Sequence, residues 1–256
     1  MRAGSLSVYP LKASRGVQVD TAEVELCGLV DDRRWAVVDT NGKVVTAREN
    51  DRILQGSARA ERGALALDAP VLEPPRVPTP VEGLRISVTV SPMPQAIDAG
   101  HEPAPCRSQT LRQAVRSVWQ EEPRTRTVSA QHGGVEGDYL NLADAGPLLL
   151  TATSSLDQLN AWIATRDPAA KAPMERFQPN IVVEGSREAS EEDTWRRVSI
   201  ADVAYRHAEI CDRCVPTIDP VTLARHRRWD RKTWFGVRLI PLGRGTVRAG
   251  EHISGR

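Results

Sequence analysis

Four cysteines stand in the 256 residues, at 27, 106, 211 and 214, and the last two form Cys211-Asp212-Arg213-Cys214, followed by Val215-Pro216-Thr217-Ile218-Asp219-Pro220. Three chemistries compete for such a pair. A structural zinc site needs four ligands. Here no second Cys-x-x-Cys or His pair at ligand spacing accompanies the first: Cys27 and Cys106 stand alone, and His207 and His226 match no pattern. A thioredoxin-like dithiol opens a helix after a strand, whereas this pair closes a strand-like run and precedes Pro216 and Asp219-Pro220. Plain burial of two small apolar side chains is the third reading. A thiolate beside Arg213 is also a good soft metal ligand, because a neighbouring cation favours the deprotonated form. Spacing alone leaves all of these open.

Residues 225–234 carry five Arg or Lys, one His and two Trp in ten positions. Charge beside stacking surface is what a nucleic-acid face needs. A solvated loop is the commoner use of such charge, and a docking face for an acidic electron-transfer partner is the third use.

The elements that must position these residues are mostly strands. Leu6-Ser7-Val8-Tyr9, Val17-Gln18-Val19 and Val24-Glu25-Leu26 are short β-rich runs punctuated by Gly16 and Gly28. Trp35-Ala36-Val37-Val38, the Asp39-Thr40-Asn41-Gly42 turn and Lys43-Val44-Val45-Thr46 predict a hairpin. Residues 85–90 alternate with period two, as a half-buried strand does. Residues 68–80, with five prolines, predict a loop. Ser108 predicts a helix cap before Leu111, Val115, Val118 and Trp119 on one face. A second helix starts near Ser154-Ser155, with Leu156, Leu159 and Ile163 as its stripe, and ends before Asp167-Pro168. Strand character returns at 180–183, 198–200, 203–205 and 237–240. No 20–50-residue repeat is present, which argues against solenoids and propellers. The fold class expected is mainly β with a few helices: two linked β-barrel-like units, 1–106 and 107–256.

Composition narrows the function classes. The chain has 40% hydrophobic and 26% charged residues, ordinary globular usage, and 34 basic against 33 acidic residues. No global field therefore draws it to nucleic acid or membrane. Thirty of the basic residues are Arg and four are Lys, a bias better assigned to codon usage than to phosphate contacts. No apolar run approaches the ~20 residues that span a bilayer, and the start has no signal-peptide core. A cytoplasmic, soluble protein with no nucleic-acid and no membrane partner is expected.

The run from Ile210 through Pro220 resembles the cysteine signature of MOSC-domain proteins, the relatives of the molybdenum cofactor sulfurase C-terminal domain and of the amidoxime-reducing components. The likeness continues along the chain. Val8-Tyr9-Pro10-Leu11-Lys12 resembles the family's opening strand, and Gly28 through Trp35 its Gly-(x)-Asp-Arg-x-Trp turn. Thr46-Ala47-Arg48, Asp144-Ala145-Gly146-Pro147 with Ser155-Leu156, Phe177 through Val183, Glu192-Asp193-Thr194-Trp195 and Phe235-Gly236 follow in the family's order.

The resemblance implies a smaller N-terminal β-barrel-like domain before a β-barrel MOSC domain, with the molybdenum cofactor (molybdopterin carrying Mo) in a cleft. It makes Cys214 the metal ligand and catalytic thiolate and leaves Cys211 a neighbour without ligand duty. A dithiolene-bound metal accepts one more soft thiolate, and the pterin phosphate needs cationic or N–H donors. The resemblance assigns such contacts to Lys12, Arg33 and Arg213, a metal-facing proton role to Asp144, and a pterin hydrogen bond to Asn180. Asp144 also suits a plain turn, and Asn180 a plain strand end. Three positions depart from the pattern. Lys12-Ala13-Ser14 replaces Lys-Ser, making Ser14 the hydroxyl candidate. Gln178 replaces an Arg, for which Arg176 is the stand-in, and Gly146 replaces a Ser.

The function expected is an oxidoreductase that reduces N-hydroxylated or N-oxide small molecules. No ferredoxin cysteine cluster, haem motif or dinucleotide fingerprint is present, so a separate iron–sulfur protein or flavoprotein would deliver the electrons. The alternative is a sulfur carrier or cofactor-binding module holding a persulfide on Cys214.

Overall fold

The run Leu148-Leu149-Leu150-Thr151-Ala152 is buried at every position, as a strand covered on both faces must be, and it lies inside a nine-stranded sheet. The computed structural model describes residues 1–68, 76–89, 93–100, 108, 110–213 and 220–256. Its first strands are β1 (Arg2–Val8), β2 (Val17–Val19), β3 (Thr21–Glu25), β4 (Gly28–Leu29), β5 (Trp35–Asp39) and β6 (Ser57–Glu61). Next come β7 (Ala64–Asp68), β8 (Arg76–Pro78), β9 (Arg85–Val88), β10 (Met93–Asp98) and β11 (Val115–Trp119). The second half holds β12 (Leu148–Ala152), helix α1 (Thr153–Ala164), β13 (Ile181–Glu184), β14 (Arg197–Ile200) and β15 (Val203–Asp212). Helix α2 (Pro220–His226), β16 (Arg228–Trp229), β17 (Lys232–Pro241), β18 (Gly245–Arg248) and β19 (Ile253–Gly255) complete it.

The large sheet runs β19-β14-β15-β17-β12-β13-β1-β2, with β16 attached to β17. Leu6, Leu150, Ile181, Ile200, Tyr205, Val237 and Leu239 are completely buried in its core, each contributing about 1.5–3 kcal/mol. β1 pairs antiparallel with β13, Leu6 against Ile181, and β3 pairs with β18. The first strands are thus built into the sheet of the second half. Lys12 and Arg33 stand four residues beyond the ends of β1 and β4, so these pairings bring them against the second half of the chain. Helix α1 connects the parallel pair β12 and β13 and buries Leu159 and Ile163 with Phe177, Leu223 and Phe235.

The fold is mainly β with a few helices, as the pattern predicts. The runs at 6–9, 17–19, 24–26, 35–38, 85–90, 180–183, 198–200, 203–205 and 237–240 all meet strands, and α1 lies where its stripe places it. The predicted hairpin is real at its turn: Gly42 has φ +78°, Asp39 N–H donates to Lys43 O at 2.9 Å and Val45 N–H to Val37 O at 2.8 Å. Its second arm is only a bridge, Val38 to Val44, because the chain then leaves toward Thr46-Ala47-Arg48.

One helix is corrected. The helical turn that begins at Ser108 reaches Leu111 and breaks at Arg112, where φ is +51°. Val115, Val118 and Trp119 lie on β11, paired along its whole length with β5. Their spacing fits a helical face, but β-branched and aromatic side chains also suit a pleated surface, and the five-residue partner decides. Of the Pro-rich loop, residues 69–75 lie outside the described residues, and Arg76–Pro78 forms a short strand against β7. Among the described residues no helix is long and apolar enough to cross a membrane.

Candidate active site

Asp32 is completely buried, and a buried carboxylate requires compensation from its neighbours. Tyr9 N–H (2.8 Å) and Asn180 Nδ2 (3.0 Å) donate to its Oδ1; Asn141 Nδ2 (3.1 Å) and Arg33 Nη1 (2.5 Å) donate to its Oδ2. Arg33 itself has φ +49°, and that turn lays its guanidinium 4.6 Å from the Tyr9 ring centroid. Its Nη1 also reaches Asn180 Oδ1 at 3.0 Å, and its Nη2 donates to Gln178 O at 3.1 Å. Asn180 donates a further bond to Ser7 O at 3.1 Å and accepts one from Leu149 N–H at 3.1 Å. An amide has two N–H groups and two lone pairs, so Asn180 is fully occupied in joining β1, β12 and the 32–33 turn.

Lys12 is 6% exposed. Its Nζ donates to Leu142 O at 2.6 Å and to the Asp144 carboxylate. Burial lowers the Lys12 pKa, and Asp144 only partly offsets that. The Asp144 side chain is 53% exposed. Desolvation pushes its carboxyl up, but Lys12, then Arg48 at 3.4 Å and Arg33, outweigh this and hold it at about 2. The loop carrying Asp144 is fixed by Arg126, whose buried Nη1 donates to the carbonyls of Asn141 and Ala143, the latter at 2.6 Å. Burial brings the Arg126 pKa down to about 10.

The strands β15 and β17 supply another part of the wall. Arg213 donates to Cys211 Sγ at 3.2 Å and to Phe177 O at 2.7 Å, and lies 5.4 Å from the Phe177 ring centroid. Its Nε is buried and has no hydrogen-bond partner among the described residues. Arg238 is clamped between Glu209 and Asp212 (2.5 Å), with His132 Nδ1 2.6 Å from the same Glu209 oxygen. Burial opposes the Arg238 charge, but Cys211, Glu209 and Asp212 together raise its pKa. For Asp212 the desolvation penalty is in turn outweighed by Arg238, and its pKa falls.

These parts enclose a cleft of about 610 Å³, large enough for a cofactor. Its described lining carries seven cations (Lys12 and Arg15, Arg33, Arg48, Arg176, Arg213 and Arg238) against Asp51, Asp144, Glu175 and Asp212. The local field therefore favours an anion.

Six of the residues singled out from sequence meet here: Lys12, Arg33, Asp144, Arg176, Asn180 and Arg213. Ser14 does not reach the lining; it is buried and its hydroxyl donates to Leu11 O at 2.8 Å. Gln178 Nε2 donates to Ser14 O at 2.8 Å, so the departures at 13–14 and 178 are tied together. Cys214 lies outside the described residues. Sequence reasoning assigned no role to Asp32, Arg48, Arg126 or Arg238. Asp32 and Arg48 stood inside motif segments. Arg238 had a usable signal, a charge inside the apolar run from Phe235 to Ile240; Arg126 had none.

Compared with protein-family profiles, residues 1–105 match the one described as MOSC N-terminal beta barrel domain, and residues 132–254 the one described as MOSC domain. The Rattus norvegicus protein named mitochondrial amidoxime reducing component 2 is 32% identical over 253 residues, covering 91% of this chain and 71% of the relative. The Mus musculus mitochondrial amidoxime-reducing component 1 is 30% identical, with 91% and 70% covered. The Homo sapiens component 1 is 28% identical over 287 residues, with 97% and 81% covered.

Proposed function

We propose, from the premise that this chain belongs to the MOSC-domain family and carries the MOSC N-terminal β-barrel domain ahead of its MOSC domain, that it is a molybdenum-cofactor oxidoreductase. Its substrates are N-hydroxylated compounds of the amidoxime type, or N-oxides. The reaction takes two electrons and two protons, breaks the N–O bond and releases water. The electrons come one at a time from a separate donor protein.

The observation that carries this reading is the cation-lined cleft, whose wall includes Arg213 with a buried Nε that has no partner among the described residues. A buried donor left unsatisfied costs about 1–3 kcal/mol, and an anionic oxygen of the pterin phosphate would satisfy it. Lys12, Arg33 and Arg176 are the further cations for the cofactor, and the Cys214 thiolate is the protein ligand for its metal. When bound, the cofactor supplies a metal that can accept oxygen and change oxidation state. Lys12 uses two of its three N–H groups on Leu142 O and Asp144, leaving one for the cofactor. Asp144, whose carboxyl Lys12 holds down at about 2, is the acceptor for a substrate N–H.

The test is the molybdenum and pterin content of protein from cofactor-replete cells, compared with Cys214→Ser, followed by donor-driven reduction of benzamidoxime. Near-stoichiometric molybdenum and pterin are expected, with the metal lost in the variant and turnover in the parent. Protein with neither component sinks the proposal. A sulfane-sulfur adduct on Cys214 without amidoxime turnover would replace it with sulfur transfer.

A further inference from the structure

A second cavity, of about 380 Å³, is lined by Arg196, Arg197, Arg206, His207 and Ala208. None of these residues lines the cleft, and the volume is that of a small-molecule site. Successive residues of a strand point to opposite faces, so Arg196 and Arg197 should not meet in one cavity. The backbone explains why they do. Arg196 N–H (2.7 Å) and Arg197 N–H (2.9 Å) both donate to Arg256 O, so two residues at the head of β14 oppose one. That is the arrangement of a β-bulge, which re-aims a side chain. Across the ladder, Arg197 is directly opposite Arg206 of β15. Like charges in that relation are destabilising unless a counter-charge lies between them.

The acidic groups nearby are engaged elsewhere or with one arginine alone. Arg206 Nη1 donates to Gly133 O at 2.7 Å, and its Nη2 forms an ion pair with Asp138. Asp138 also accepts from Val135 N–H at 2.8 Å. Asp193, which feels the charge of His207, is ion-paired with Arg227. His207 Nδ1 donates to Trp195 O at 2.5 Å, a bond that leaves Nε2 for a ligand. Arg196 and Arg197 are exposed, and neither has an ion-pair partner among the described residues. Two guanidiniums thus remain without a counter-charge, beside a third whose clamp fixes its direction before any ligand arrives. Such preorganisation lowers the ordering cost of binding.

We infer that this cavity binds the phosphate group of a small molecule. A phosphate dianion carries the two charges that Arg196 and Arg197 leave unbalanced, and its oxygens match the paired, planar N–H groups of a guanidinium. Arg206 uses two of its five N–H groups on Gly133 and Asp138, and supplies the third cation from the opposite strand. His207 Nε2 accepts from a phosphate O–H when the ring is neutral and donates when it is charged. The remaining volume admits the body of a phosphate ester. The site stands apart from the cleft, and the inference does not rest on the oxidoreductase reading.

The experiment titrates the full chain with inorganic phosphate, adenosine monophosphate and adenosine at constant ionic strength. Because the cleft also favours anions, binding is followed residue by residue, through the arginine Nε–H and histidine ring signals in nuclear magnetic resonance spectra. The signals of Arg197, Arg206 and His207 should shift together along one saturating curve with both phosphates and stay still with adenosine. Tighter binding of the monophosphate than of phosphate identifies an ester as the ligand; equal binding identifies the free ion. In Arg196→Ser with Arg197→Ser, the affinity read at Arg206 and His207 should fall about tenfold or more, as the loss of charged hydrogen-bond donors requires. Arg228→Ser with Arg231→Ser removes two other exposed charges and should leave that affinity within about twofold. Shifts that grow without saturating, or an equal loss in both variants, overturn the site and leave the arginines as solvated charge. Shifts with adenosine as large as with its monophosphate overturn the phosphate assignment.

Discussion

Arg33 and Arg213 both line the cleft, but their surroundings differ. The guanidinium of Arg33 is met by Asp32, Asn180 and Gln178 and backed by the Tyr9 ring. That of Arg213 meets a sulfur, one carbonyl and one ring, and its Nε meets nothing among the described residues. The first is the geometry of a joint between elements, in which the charge holds the fold together. The second is the geometry of a receptor, with a buried donor that no described residue takes up. Residue type and position in a motif give both arginines the same role; only their hydrogen bonds separate them.

The largest effect should come from breaking the joint. Asp32→Ala leaves Arg33 without its buried counter-charge and strands the Tyr9 N–H and the Asn180 and Asn141 amides. It should lower unfolding free energy in urea by about 3–5 kcal/mol. A loss below about 1 kcal/mol would mean that the network is ornamental, and the contrast with Arg213 would go with it. The receptor should respond in the opposite way. Arg213→Met should leave stability within about 1 kcal/mol, because its aliphatic replacement still packs on Phe177 and no carboxylate loses a partner. Pterin retention should fall ten- to hundredfold, the equivalent of about 1.5–3 kcal/mol for a hydrogen bond to a charged group. Pterin fluorescence of the purified variant reads this directly.

Gly146 sharpens the contrast from the side of packing. A Cβ built there would lie 2.9 Å from Arg238 Cβ and 3.0 Å from its Cδ. The departure from the family's Ser therefore has a physical counterpart in this chain: the Arg238 side chain occupies the space. Gly146→Ala should cost about 1–3 kcal/mol by overpacking. In a double-mutant cycle with Arg238→Ala, much of that cost should disappear; additive losses would show that Arg238 is not what excludes the side chain.

Where the sequence is legible, the information is local. The period-two runs and the Leu156, Leu159, Ile163 stripe report one neighbour set each, and the strands and α1 follow them. Residues 108–119 misread because Val115, Val118 and Trp119 satisfy both a helical face and a pleated one. The arbiter was β5, nearly eighty residues upstream in the pairing of Val115 with Asp39. The site divides in the same way. Lys12, Arg33, Asp144, Asn180 and Arg213 were found through short motif segments, and the cleft gathers them. The centre that positions them was invisible, since the partners of Asp32 lie 23, 109 and 148 residues away in sequence. A fully occupied Asn180 and a Ser14 turned to its own loop could not be told from free polar groups without those contacts.

The smallest effects on stability belong to Lys12 and Asp144, which stand between joint and receptor. Lys12 is buried with its pKa lowered, so its charge is held against a desolvation cost. Removing Lys12 also removes that cost, and Asp144, half-exposed and still 3.4 Å from Arg48, is not left as a buried unpaired charge. Lys12→Met should therefore leave stability unchanged or slightly raised, within about 1 kcal/mol, while removing cofactor retention. Asp144 supplies the pH signature of the pair. Its folded pKa, about 2, lies below the ordinary carboxylate value. The stability it contributes is thus complete above about pH 4 and lost as pH falls through about 2. Because the side chain is half-exposed, solvent screening limits that contribution to under about 1 kcal/mol. The difference in Tm between wild type and Asp144→Asn should be small at pH 5, shrink below pH 4 and close near pH 2. In the Lys12→Met background the remaining difference should close at a higher pH, since the main partner holding the carboxyl down is gone. A difference that closes at the same pH in both backgrounds would show that Arg48 and Arg33, and not Lys12, set the charge of Asp144.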